Sequence, residues 1–482
     1  MLKLKRILAG VLAVSTVFTA TACNSSSESG PTSSVPETTT ETTIDDEIEN
    51  PVDVSNISID AGEKVEPATL MYMGNYDIRT AGDVKPAYKY FQENYDCDIE
   101  FTNVNFLQIL EKLTAAISSG ESPDLVDYQD NTFPLMMSKN IYTPLEDYMD
   151  LSAPQWSGLE DYINKFKWNG HNYYYPWSYD ISPYFLIYNR GLFEELGIDD
   201  PKELYESGDW TWNTFKECCQ KFVDSQDGRL GLYGAGQYSA TSFIDSTGTP
   251  LLTIQDDGTL VCNLVNADVE RATNFMQDLY KEGLAGFAEG YMDVSEDPIT
   301  EGMNAFQGMG GWIITNYAKK MVLAEKKGGE MDIFFVPFPR DPNADDYYYS
   351  MSTFGYLIPA GSKHVEQASV FINCCRLSVT DEALAETTKE SIMKNKKYTD
   401  EMYEFMQQFK DVEKFNGIVD QPYGLDENTA TILKGMLGTV LFNNYEDFVG
   451  MSWTQLREAN SGAILDQVNY YNGLIKNGNA AS

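Results

Sequence analysis

This chain of 482 residues predicts an α/β fold in two lobes, and three observations carry the prediction. Strand-patterned and helix-patterned segments alternate from residue 67 onward, a rhythm that builds mostly parallel sheets covered by helices. Setting aside a leader and a tether leaves about 415 residues, more than one hydrophobic core usually organises. The α/β theme then repeats with different segment lengths and no repeat of sequence.

The leader comes first. Lys3, Lys5 and Arg6 precede the apolar run from Ile7 to Val14, and mostly small residues follow up to Cys23. A charged start and an apolar stretch too short to span a bilayer read as an export signal over residues 1–22. Ala20-Thr21-Ala22-Cys23 resembles a bacterial lipobox, with Ala20 where Leu is commonest, so Cys23 is the expected site of lipidation with palmitate or a related acyl chain. Residues 23–66 are rich in Ser, Thr, Glu, Asp, Pro and Gly. That composition cannot bury enough surface to offset chain entropy and predicts an extended tether holding a globular part clear of the membrane.

Elements follow in order. Pro67–Met73 has the length of a strand and ends at Gly74-Asn75-Tyr76-Asp77. Val84–Asn94 is helix-like and Ile99–Val104 alternates as a strand does, giving a β-α-β opening. Phe106, Leu110, Leu113 and Ile117 recur at helical spacing until Gly120, which supplies the left-handed C-terminal turn. Another strand starts at Pro123–Val126. In the second region Tyr184–Tyr188 is a strand, Thr211 caps a helix facing inward through Phe215, Cys219 and Phe222, and Trp210 and Trp212 pack its start. Leu260–Leu264 and Ile333–Pro337 read as strands, Val269–Lys281 as a helix, Thr353–Pro359 as a strand and Val365–Cys375 as a helix. From Asp381 on, helices alternate with loops rich in Tyr, Met and Asn.

A formal charge of −39 repels nucleic acid phosphates, so no nucleic acid partner is expected. Besides Cys23, Cys97, Cys218, Cys219, Cys262, Cys374 and Cys375 include two adjacent pairs on helix-like segments and no C-x-x-C, a pattern of small buried thiols rather than a metal clasp. The chain lacks G-x-S-x-G, H-E-x-x-H and G-x-x-x-x-G-K and holds His171 and His364 alone among histidines, so no enzyme is expected, although paired carboxylates for glycoside cleavage stay open. The acidic stretches Asp341–Asp346 and Asp293–Asp297 lack EF-hand spacing, and no metal or cofactor is expected.

Glu111–Asp124, Tyr142–Asp147, Leu186–Gly197, Gly208–Phe215, Gly311-Trp312 and Val336–Pro339 resemble, in order and spacing, stretches of the bacterial extracellular solute-binding proteins of family 1, whose best-known members bind maltose and related sugars. The resemblance implies a periplasmic-binding-protein-like α/β fold, two lobes with mixed sheets joined by a multi-segment hinge and a ligand clamped in the cleft. Chain crossings are implied near Ser182–Tyr188, near Phe334–Phe338 and around residue 380. Residues 67–181 with 337–380 would form one lobe, and 182–336 with 381–478 the other. The implied function is capture of a sugar or oligosaccharide for the permease subunits of an ABC importer, by a carbohydrate-transport lipoprotein on the extracytoplasmic face of the membrane. A surface glycan sensor without its own transporter is the alternative.

Sugars present apolar C–H faces beside dense hydroxyls, so their sites need aromatic planes next to carboxylates and amides. Trp312 resembles the family's stacking tryptophan, and Gly310 and Gly311 beside it permit close backbone approach. Tyr128, Asp130 and Asn131 follow the strand begun at Pro123, and Asn75 and Asp77 follow the first strand. Trp177, Tyr179 and Asp180 lead into the first crossing, with Asp180 resembling an acidic sugar contact a few residues out of register. Tyr238, Phe243 and Tyr356 complete the candidate set.

Overall fold

Burial alternates along Thr69–Gly74, with Leu70 and Tyr72 inside and Met71 exposed between them, and this strand becomes central in a four-stranded sheet. The order is Tyr356–Leu357, Leu125–Asp127, Thr69–Gly74, Asp98–Asn103. The two inner pairings are parallel and the edge strand Tyr356–Leu357 runs antiparallel. Both faces are covered, as parallel strands require. Helices Lys85–Tyr95 and Val365–Thr380 close one face, where Phe91 meets Phe371 edge-on at 5.3 Å. Helix Ile109–Ser119 covers the other through Ile109 and Leu113, packed in one cluster with Met73 and Val126. It stops at Gly120, whose φ of 78° suits a residue without Cβ.

The computed structural model describes residues 52–479 apart from 130, 288–291, 411–413 and 421–423. The export signal 1–22, Cys23, the tether as far as residue 51 and the candidate Asp130 lie outside the described residues. Residues 52–66, expected as the last part of the tether, instead pack on the first sheet's helices. Val54 and Ala61 are wholly buried, and the Tyr90 and Tyr95 hydroxyls accept from the backbone N–H groups of Ile59 and Ala61 at 3.0 and 3.1 Å. Four hydrophobic residues spaced through this polar stretch, Val52, Val54, Ile57 and Ile59, join the core around it and explain the correction.

A second four-stranded sheet is ordered Ile333–Pro337, Tyr184–Asn189, Asn304–Gly310, Leu230–Gly234. It is mixed: Tyr184–Asn189 runs antiparallel to both neighbours, while Leu230–Gly234 and Asn304–Gly310 are parallel. Phe185 to Tyr188 and Ile333 to Val336 are buried without alternation, as strands covered on both faces should be. The expected helix start appears at Trp212–Asp224, where the Thr211 and Thr214 side chains form a reciprocal capping pair. Trp210 and Trp212 are buried there as anticipated, their indole N–H groups donating to the Pro337 carbonyl at 2.8 Å and to Ser246 Oγ at 3.1 Å.

A three-stranded sheet ties the halves of the chain together: Asn416–Ile418, Tyr348–Phe354 and Ser178–Ile181. The single strand expected over Thr353–Pro359 is broken. Tyr348–Phe354 belongs to this sheet and Tyr356–Leu357 to the first, with Gly355 between them in a spot where a Cβ would lie 2.5 Å from the Tyr174 ring. Further on, helix Glu427–Phe442 packs against helix Gly236–Asp245, an approach close enough that a Cβ on Gly236 would sit 3.1 Å from the Gly438 Cα. Among the described residues no helix is long and apolar enough to cross a membrane. Cys97, Cys218, Cys219, Cys374 and Cys375 are buried free thiols and Cys262 is half-buried.

Candidate functional site

Two cavities flank the strands that link the sheets, and both are lined by Tyr184, Ser352 and Phe354. The larger has a volume of about 550 Å³ and runs along residues 177–185, the turn Gly310-Gly311-Trp312 and the helices after residue 376. Trp312 occupies a short turn at the end of strand Asn304–Gly310 and stays 58% exposed despite its size. Polar groups are paired across this cavity. Lys410 forms an ion pair with Asp180, donates to the Tyr179 carbonyl at 3.2 Å and stands 5.8 Å from the Phe354 ring centre. Arg376 is buried, donating to the carbonyls of Gln155 at 2.7 Å and Trp177 at 3.1 Å, and burial lowers its pKa. Lys396 faces Asp83 at 3.7 Å, and that carboxylate raises the ammonium pKa.

The smaller cavity, about 170 Å³, takes in Tyr128 and Gln129 from the end of the first sheet, Thr241 and Asp245 from helix Gly236–Asp245, and Asp420. Tyr128 stacks on Tyr174 at 4.1 Å and meets Phe166 edge-on. Asp245 is wholly buried, and desolvation together with the neighbouring Asp420 pushes its carboxyl well above the ordinary range.

Of the residues singled out from sequence, Trp312, Trp177, Tyr179 and Asp180 line the larger cavity and Tyr128 the smaller. Trp177 is only 6% exposed and shares the first core, so its part is mainly to form the wall. Tyr238 lines neither cavity but stacks on Tyr184, which lines both, at 4.7 Å. Asn131 also lines neither, and its Oδ1 is buried without a partner. Asn75 and Asp77 stand away from both cavities: Asn75 is exposed, and Asp77 is tied to Arg79 at 2.7 Å. Phe243 and Tyr356 are not surface contacts at all. Phe243 is wholly buried among Trp212, Phe215, Phe275 and Phe338, and Tyr356 packs edge-on against Tyr72 in the first core. Gln129, Asp245, Asp420, Tyr184, Phe354 and Lys410 are cavity residues that sequence reasoning missed. Asp245 alone left a signal, a carboxylate in a helix otherwise made of small and apolar side chains on its inner face. Among the described residues, no group of three or more His, Cys, Asp or Glu is placed to hold a metal ion.

At the end of strand Leu125–Asp127, outside both cavities, burial pushes the Asp127 carboxyl up to about 7, although the Tyr72 hydroxyl donating to it at 2.6 Å acts the other way. The folded chain therefore favours the protonated form. The stabilising contribution of this group is complete below about pH 4 and is lost as pH rises through about 7. Three pKa units convert to ~4 kcal/mol; since Asp127 is half-buried, about half of that is expected. Asp127→Asn keeps an acceptor for Tyr72, so urea denaturation should show the variant about 2 kcal/mol more stable than the parent at pH 8 and no more stable at pH 4. An equal difference at both pH values would reject the assignment.

The family model described as "Bacterial extracellular solute-binding protein" matches residues 76–376. No curated protein matches the chain in sequence. Solved structures match in fold. The GacH receptor of Streptomyces glaucescens, determined unliganded and with acarbose, is 16% identical with a TM-score of 0.61, covering 86% of this chain and 99% of its own. Lmo0181 from Listeria monocytogenes, in complex with cycloalternan, is 16% identical with a TM-score of 0.59 over 85% and 100%. UgpB from Mycobacterium tuberculosis, in complex with glycerophosphocholine, is 14% identical with a TM-score of 0.62 over 84% and 99%. The family match spans well over half of the chain, inside an α/β framework of two four-stranded sheets with cavities at the strands that link them: the protein belongs to the bacterial extracellular solute-binding protein family.

Proposed function

We propose that the protein captures a sugar or short oligosaccharide between two lobes, releases it unchanged to the permease subunits of an ABC importer, and is held at the extracytoplasmic face of the membrane by a lipid on Cys23. The observation that carries this reading is Trp312. A large indole left 58% exposed at the mouth of the larger cavity, with Tyr179, Tyr184 and Asp180 also in the lining, offers a stacking plane beside hydrogen-bonding groups. The acarbose and cycloalternan complexes of structurally similar proteins support the same ligand class. The lobes are residues 52–181 with 337–396 and residues 182–336 with 397–478: the first is extended at its start by the packed segment 52–66 and at its end by helix Glu382–Lys396, which packs on helices Lys85–Tyr95 and Val365–Thr380 and buries Leu384 in the first core. Ligand contacts to both lobes exist together only when the cleft is closed, and so bias the equilibrium toward closure.

A thermal-shift screen against a glycan panel tests this, because a ligand that binds only the folded chain raises the midpoint. The glycan giving the largest shift should also reduce the radius of gyration in solution scattering and be recovered intact. A panel without any shift refutes the sugar reading, and a hydrolysed glycan refutes the binding-only role. For the anchor, labelled palmitate should enter the exported protein and be lost in Cys23→Ala; label retained in that variant excludes Cys23.

A further inference from the structure

We propose that the larger cavity takes an acidic sugar, a uronate or an oligosaccharide containing one, whose carboxylate sits on the Arg376 guanidinium; this rests on the sugar-binding reading above and narrows its ligand class. Among the described residues, three cations line that cavity, Arg376, Lys396 and Lys410, against two carboxylates, Asp83 and Asp180. The chain as a whole has 34 Lys and Arg against 73 Asp and Glu, so the reversed balance belongs to this wall and not to the composition. Both lysines are engaged, Lys410 with Asp180 and Lys396 with Asp83 at 3.7 Å. The surplus positive charge is therefore that of Arg376.

Arg376 comes from helix Val365–Thr380 and is 7% exposed. Its Nε donates to the Gln155 carbonyl at 2.7 Å, its Nη1 to the Trp177 carbonyl at 3.1 Å, and its guanidinium carbon stands 5.9 Å from the Trp156 ring centre. All three partners are neutral, and Nη2 makes no hydrogen bond among the described residues. The described titratable neighbour that favours its charge is the Tyr179 phenol, and burial outweighs that, lowering the arginine pKa. A buried charge held by neutral groups alone costs free energy that a counter-ion offsets. A ligand carboxylate is such a counter-ion, accepting from Nη2 in a charge-assisted bond about twice as strong as a neutral one. The two carbonyl bonds and the indole already fix the guanidinium, so little side-chain freedom is lost when the ligand arrives. One unit of surplus charge suits a carboxylate. A phosphate monoester brings roughly −1.5 to −2 and leaves negative charge in excess beside Asp83 and Asp180. Trp312 lines the same space, so one ring can stack on the indole while its acid group meets Arg376.

Calorimetry on the full chain with sets matched at a single group tests the proposal: glucose, glucuronate and glucuronamide, the galactose equivalents, disaccharides of each, and a phosphate ester of glucose. At pH 7 the uronate should bind at least about tenfold tighter than the matched hydroxyl or amide sugar. In Arg376→Gln, shown to be folded by circular dichroism, that preference should fall to less than about threefold, and Arg376→Lys, which keeps the charge, should lie between. Neutral sugars binding as tightly as their uronates in the parent protein would overturn the proposal while leaving the sugar reading intact, and this comparison needs no variant. A uronate preference undiminished in a folded Arg376→Gln would overturn the assignment to Arg376. Tighter binding of the phosphate ester than of the uronate would overturn the choice of a carboxylate. Failure of neutral and acidic sugars alike to bind would sink the sugar reading together with this proposal.

Discussion

Trp210→Ala is expected to destabilise the protein by about 4–8 kcal/mol and to lower its melting midpoint by roughly 4–8 °C. The indole is wholly buried and lies 6.0 Å from the Phe215 ring and 5.9 Å from the Phe306 ring. Emptying such a site costs about 3–5 kcal/mol in lost transfer and residual cavity. The Nε1–H donates to the Pro337 carbonyl at 2.8 Å, and leaving that buried acceptor alone adds ~1–3 kcal/mol. The backbone around it also holds two segments together, since the Arg340 N–H donates to the Trp210 carbonyl and Thr211 pairs with Arg340. The temperature shift follows from an unfolding entropy of ~2.1 cal/mol/K per residue, which a chain of this length converts to about 1 °C per kcal/mol. Trp210→Phe separates the two terms. It keeps most of the ring and loses only the donor, so calorimetric melting should place it between the parent and Trp210→Ala. A Trp210→Ala midpoint within 1 °C of the parent would mean that the packing around the second sheet does not depend on this anchor.

The same residue illustrates what the sequence carried. Trp210 and Trp212 precede a helix with its own capping signal, and a tryptophan beside a cap packs inward; local rules suffice. Strand Ile333–Pro337 was equally readable because five consecutive large apolar side chains leave little choice. By contrast Asn304–Gly310 is buried along its whole length yet carries only Ala305, Phe306 and Met309 as apolar groups. Gly308 is there because a Cβ would strike the Ser239 hydroxyl, a constraint from a helix about seventy residues away. Periodicity has no means of seeing that. The site divides along the same line. Trp312 stood out through a local motif, whereas Asp245 and Asp420 meet across 175 positions of chain, and only the packing of helix Gly236–Asp245 brings them to one cavity. Phe243 and Tyr356 failed because residue type alone does not say whether an aromatic faces a cleft or a core.

Trp312→Ala should weaken binding of the preferred glycan by about 30- to 100-fold while leaving the unliganded protein as stable as its parent. Truncating an aromatic anchor at the centre of a binding surface typically costs at least ~2 kcal/mol, and each ~1.4 kcal/mol is a factor of ten in affinity. Stability should hold because the side chain is 58% exposed and exposed substitutions usually stay within ~0.5 kcal/mol. Those two readouts move apart only if the ring serves the ligand rather than the fold. Trp312→Phe retains a smaller plane and should fall in between. Gly310→Ala offers an independent route to the same result, because a Cβ on Gly310 would collide with Trp312 Nε1 and force the indole out of its present position without removing it. Calorimetric titration of the three variants should therefore rank Trp312→Ala as the weakest binder, with Trp312→Phe and Gly310→Ala intermediate. Parent-like affinity in a folded Trp312→Ala would shift the stacking role to Tyr184, which lines both cavities with Tyr238 stacked behind it.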